Sequence, residues 1–126
     1  MSIRIFCDQT PLSINRVLRM HWAKRKLYNE AWLQEVFLAK NRLKIFGRPE
    51  LRQVDLRFTL MLHGQKEMDA DNAVASVKPI IDALVTVGIL KDDDKDGVRS
   101  VSVDQIRVPR RQAGAVVEIE ESLPRE

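Results

Sequence analysis

Val54-Asp55-Leu56-Arg57-Phe58-Thr59-Leu60-Met61-Leu62-His63 alternates from end to end. Side chains of an extended chain point to opposite faces in turn, so Val54, Leu56, Phe58, Leu60 and Leu62 share one face and predict a half-buried strand. His63-Gly64-Gln65-Lys66 turns the chain and delivers it to Asp69-Ala70-Asp71-Asn72. A helical stripe follows, made of Ala73, Val74, Val77, Ile80, Ile81, Leu84 and Val85, and Gly88 ends it. Strand and helix patterns together predict one α+β domain over residues 1–126, a mixed sheet of about four strands with two main helices packed on it.

The acids sit at both ends of that second helix. If the backbone is extended, Asp69 and Asp71 point the same way, roughly 7 Å apart. Asp71 is also placed to cap the helix. A second cluster, Asp92-Asp93-Asp94, arrives after the helix. Carboxylates brought together from two segments repel at close range, which calls for a cation, and hard oxygen donors suit Mg²⁺ or Mn²⁺. At about 100° per residue, Asp71, Lys78 and Asp82 fall on one side of the helix, with Lys78 aimed where a phosphate would lie. The plain alternative for Lys78 is an ion pair with Asp82 four residues on. Pro79 predicts a kink.

Upstream, Ile3, Ile5 and Cys7 alternate as a first strand, and Pro11 and Ser13 open a loop rich in base. Arg16, Arg19, Lys24, Arg25 and Lys26 bring five fixed charges with no acid among them, and Trp22 and Tyr28 are interleaved. Such a segment can neutralise phosphates and stack on unpaired bases. His21 reads as a packing or hydrogen-bonding residue. Tyr28, Trp32, Val36, Ala39 and Leu43 make a core stripe on a helix from Leu27 to Phe46, stopped by Gly47 and Pro49. Downstream, Val98–Val108 reads as a strand with a phase shift after Val103. With a last strand around Val117 and Ile119, residues 98–120 predict a hairpin. The tail, Ser122 to Glu126, is expected to be loose.

Residues 1–66 hold 13 Lys/Arg against 5 Asp/Glu, residues 67–96 hold 3 against 8, and residues 97–126 hold 5 of each, which sums to the net +3. An acidic centre in a basic chain suits a protein that holds a cation while drawing in a polyanion. The single cysteine, Cys7, excludes an internal disulfide and reads as core. No apolar run approaches the roughly 20 residues of a membrane span, and no signal-peptide pattern opens the chain, so a cytoplasmic protein is expected. Asp92-x-Asp94-x-Asp96-Gly97 imitates the start of an EF-hand loop, but its twelfth position is Val103 where a bidentate Glu is required.

Asp69-x-Asp71-Asn72, a lysine, Asp82-Ala83-Leu84, Gly88 and Asp92-Asp93 resemble the central signature of the RusA-type Holliday junction resolvases. Pro11-Leu12-Ser13-Ile14-Asn15-Arg16 is similar to that family's early segment, so the resemblance covers roughly residues 9 to 98. It implies a Mg²⁺-dependent endonuclease, acting as a homodimer that resolves four-way DNA junctions by paired symmetric nicks in recombination and repair, often of phage or prophage origin. Asp69, Asp71 and Asp93 would hold the metal (Asp92 is the alternate third ligand), and Lys78 would contact the scissile phosphate. Asn15, Arg16, Arg19, Lys24, Arg25 and Lys26 would track the DNA. The chain departs from the family in one respect. Five residues separate Asn72 from Lys78 where the family pattern has two, a shift of about 4.5 Å along a helix axis. The rival expectations are a non-catalytic nucleic-acid-binding protein, a metal nuclease of this fold acting on another branched or duplex DNA, and a calcium-binding module.

Overall fold

Four strands form one sheet: β1 (Ser2–Cys7), β2 (Val54–Leu62), β3 (Val98–Arg107) and β4 (Gly114–Glu121), in the order β1-β4-β2-β3. The structure, a computed structural model, describes residues 2–121. The expected looseness of Ser122 to Glu126 therefore lies outside the described residues. The alternation that predicts β2 is met in full, with Val54, Leu56, Phe58, Leu60 and Leu62 all buried. Burying each such side chain stabilises the fold by up to about 1.5–3 kcal/mol. Ile3, Ile5 and Cys7 of β1 join the same face, as do Ala115, Val117 and Ile119 of β4. Burial pushes the Cys7 thiol up to about 12, which fits the core role expected for it.

The hairpin expected over residues 98–120 does not form. β4 pairs antiparallel with β1 and β2, while β3 pairs parallel with β2 alone. A short turn between Val108 and Ala113 permits a hairpin locally. The sheet instead places the most apolar strand, β2, where both its edges are paired. Nor does the phase shift after Val103 appear: Val101, Val103 and Gln105 stay on one half-buried face, and Ile106 points outward. The irregularity falls earlier, where Val54 pairs Val98 but Asp55 pairs Ser100. Arg99, skipped by the ladder, donates from Nε and Nη2 to Asp55 at 3.0 and 2.6 Å.

The basic segment expected as a loop is helical. α1 (Ile14–Leu18) is capped by Ser13, whose Oγ accepts from the Arg16 N–H at 3.3 Å. α2 (Trp22–Arg42) is capped by His21, whose Nδ1 accepts from the Ala23 N–H at 3.2 Å. These two local caps let the helix start five residues before Leu27. It also ends before Phe46, because Lys44 takes a left-handed φ of 58°. Trp32, Val36 and Ala39 are buried as the stripe requires, with Tyr28 partly buried against them, but Leu43, its last member, is exposed at the helix end.

The crossover from β2 to β3 carries α3 (Ala70–Ser76) and α4 (Lys78–Thr86). A kinked single helix was expected here, but Val77 separates two helices. Pro79 has no N–H to donate and its ring would meet the carbonyl four residues back, so α3 stops and α4 restarts with Pro79 in its first turn. Ile80, Ile81, Ala83 and Leu84 then pack on the sheet beside α2. Among the described residues no helix is long and apolar enough to cross a membrane.

Candidate functional site

The chain leaves β2 at Leu62, and Gln105 of β3 fixes where it goes. Its Nε2 donates to the Met68 carbonyl at 2.7 Å and its Oε1 accepts from the Met68 N–H at 2.8 Å. One amide side chain thus satisfies both backbone groups next to Asp69, as a strand neighbour would. Asp69, not Asp71, is the cap of α3: its backbone is extended and its Oδ1 accepts from the Asn72 N–H at 3.0 Å. Asp71 lies inside the first helical turn, where the helix dipole favours an anion. The extended backbone that would have aligned the two carboxylates is therefore absent at Asp71. The cap moves because Asp69 already satisfies the early N–H groups, so the helix begins one turn-half sooner than its apolar stripe suggests.

The acids at the other end of the crossover meet a lysine. Lys78 Nζ donates to Asp82 Oδ1 at 2.9 Å and to Asp93 Oδ2 at 2.5 Å. The hydrogen bond that Lys78 donates to Asp93, then that to Asp82, holds the Lys78 ammonium above its usual 10.5, and Lys78 holds the Asp93 carboxyl below 3.8. The i+4 carboxylate expected as the alternative partner of Lys78 is thereby met, and Asp93, for which no such contact was expected, joins it. Asp92 does not join them. Its Oδ1 accepts from the Asp93 N–H at 2.7 Å, and Asp94 Oδ1 accepts from the N–H groups of Asp96 and Gly97, closing a tight turn into β3. Gly97 is required there, since a Cβ would fall 1.8 Å from the Asp92 carbonyl oxygen.

Among the described residues, no three His, Cys, Asp or Glu side chains are gathered as a metal site. Asp69 and Asp71 stand at the start of the crossover and Asp93 at its exit. Gln105 anchors the first segment, while the Asp94 carbonyl, accepting from Gly97 and Val98, anchors the second. A hydrated Mg²⁺ needs only one or two carboxylates, however, and keeps the rest of its water. The ammonium seated between Asp82 and Asp93 marks a place where two oxygen donors of this chain accept a cation, so those two residues fit such an ion.

Of the basic candidates, Asn15 and Arg16 lie on α1, Arg19 at its end, and Lys24, Arg25 and Lys26 in the first turns of α2. Arg25 and Lys26 line a groove of about 440 Å³ between α2 and α4, and Asp82 lies on the opposite wall. Asp82, one of the two carboxylates that hold Lys78, thus faces the basic helix. Among the described residues none of Arg16, Arg19, Lys24, Arg25 and Lys26 is in an ion pair. Tyr28 is committed elsewhere, its hydroxyl accepting from the Leu12 N–H at 2.9 Å. Trp22 is two-thirds exposed at the groove mouth. The sequence held a signal for this groove. Trp22, Arg25, Lys26, Asn29, Glu30 and Leu33 repeat at helical spacing, hidden by reading residues 16–26 as a loop.

No protein-family model matches the chain, and a search of curated proteins finds no match.

Proposed function

We propose that the protein is a metal-dependent endonuclease acting on branched DNA, as its RusA-type signature implies, with the four-way junction as its substrate. The observation that carries this reading is the groove in which the basic helix α2 faces Asp82, a carboxylate that shares the Lys78 ammonium with Asp93. Polyanion-binding charge and cation-binding carboxylates are then neighbours, as hydrolysis of a phosphodiester requires. Asp93 and Asp82 would hold Mg²⁺, or Mn²⁺ in its place, and the signature adds Asp69 and Asp71 as further ligands. When bound, such an ion supplies a water of lowered pKa and neutralises charge in the in-line transition state. Lys78, freed from its carboxylates, donates to the phosphate, and Arg16, Arg19, Lys24 and Asn15 hold the flanking backbone. A two-fold dimer would present two equivalent sites to the two symmetric strands of a junction.

A second reading, a non-catalytic nucleic-acid-binding protein, is favoured by Asp69 serving as a helix cap. Incubation with a mobile four-way junction, in Mg²⁺ and in EDTA, separates the two. Paired nicks that vanish in EDTA and in Asp93→Asn support the enzyme. Junction binding without nicking in either Mg²⁺ or Mn²⁺ leaves the binding protein. Matched flap and duplex substrates decide the substrate class.

A further inference from the structure

The groove between α2 and α4 has more than charge. Its floor is apolar, formed by Leu33, Pro79 and Ala83, and its mouth carries the exposed ring of Trp22. Apart from a tilted contact with His21, ring centroids 5.6 Å apart, the indole has no aromatic neighbour. Arg25 is half-buried on one rim and Lys26 is exposed beside it, neither with a carboxylate partner among the described residues. Burying part of a guanidinium without a counter-charge is unfavourable unless an anion arrives. Glu30 and Asp82 also line the walls. Their negative charge keeps a phosphate off the floor and leaves it to the cationic rim.

The geometry points to a binding site for one unpaired nucleotide of a DNA strand, its base in the groove against Trp22 and its phosphate on Arg25 and Lys26. This rests on the nucleic-acid reading above and assigns that partner a particular feature: a base out of its duplex. Each part of the groove matches one part of a nucleotide. The volume suits a small ligand, the apolar floor and indole suit a π-face, and the carboxylates and the Asn29 amide suit polar base edges. A paired base has its faces covered and its edge engaged, so a duplex presents only its phosphates. A second groove that shares Glu30, Leu33 and Thr86 lies beside it toward Phe37 and Lys40, about 21 Å along α2 from Lys26, in reach of a phosphate several nucleotides further along the strand. Asp82 belongs to the groove and to the Lys78 cluster at once, so a seated base lies between the cationic rim and that cluster.

The test is a titration of the full chain, in EDTA, with an octamer of deoxyadenosine, an abasic octamer of equal charge and a paired duplex of the same length. The protein has two tryptophans, and Trp32 is fully buried, so a change in emission reports Trp22. The octamer of deoxyadenosine is expected to quench that emission and to bind more tightly than the abasic strand. Read by the anisotropy of end-labelled octamers, which needs no tryptophan, Trp22→Ala is expected to weaken binding about tenfold, with Trp22→Phe keeping most of the affinity. Trp22 is exposed at a helix start, so neither variant endangers folding. Equal affinity for the deoxyadenosine and abasic octamers, or an unchanged affinity in Trp22→Ala, overturns the proposal. No cleavage enters the measurement. A chain that binds this way but never nicks a junction overturns only the enzyme, and one that nicks junctions with Trp22→Ala unaltered overturns only the nucleotide site.

Discussion

The crossover from β2 to β3 carries acid at both ends, and the two ends are neutralised by different means. At the entry, Asp69 accepts a backbone N–H of α3 and Asp71 sits in the positive first turn. At the exit, Asp93 and Asp82 share the Lys78 ammonium. A backbone amide cannot leave its helix. An ammonium on a flexible four-carbon stem can, and an exposed bridge of this kind is weak. The entry acids are therefore tied to the fold, while the exit acids hold a cation that another cation can replace.

Removing the entry cap should have the larger effect on stability. Asp69→Ala is expected to cost about 1 kcal/mol in urea unfolding, whereas Asp69→Asn, which keeps an acceptor, should stay within a few tenths. Equal losses in the two variants would show that charge rather than capping matters at the entry, and the contrast with the exit would vanish.

At the exit, Lys78→Met should cost about 0.5 kcal/mol, since both partners are more than a third exposed. Its sharper signature is the Asp93 carboxyl, whose NMR titration should move up once the ammonium is gone. An unmoved titration would mean that the bridge does not hold in solution.

The smallest effect is the pH dependence that follows from the same pair. Asp93 titrates lower in the folded chain, so its contribution is complete above about pH 4, near its ordinary 3.8, and is lost as pH falls through the lowered value. Lys78 titrates higher, so its contribution is complete below 10.5 and is lost as pH rises through the raised value. Between these limits the bridge adds nothing to the slope. Urea midpoints across pH, compared between the native chain and Lys78→Met, should differ in their acid and alkaline limbs and run parallel between them. Added salt should shrink the difference.

Local pattern was enough for the elements whose partners lie anywhere on a core. β1, β2 and the buried stripe of α2 follow from which residues cannot stay in water, and the structure buries those same side chains. The start of α2 differs from the sequence expectation because a run of cations has the pattern of a solvated loop, while Ser13 and His21 supply the caps that make it helical. The hairpin failed for another reason. A turn of suitable length shows that two strands can pair, not that a third will stay out from between them.

Residue order alone determined an α+β chain, a basic stretch ahead of an acidic one, and a lysine able to reach the acid four residues on. Only the folded chain decided that β2 stands between β3 and β4, that Asp93 returns to Lys78, and that Trp22, Arg25 and Lys26 face Asp82 across a groove. The physical reason is range. Periodicity and capping act within a few residues, whereas these juxtapositions depend on which apolar faces bury one another across the whole chain.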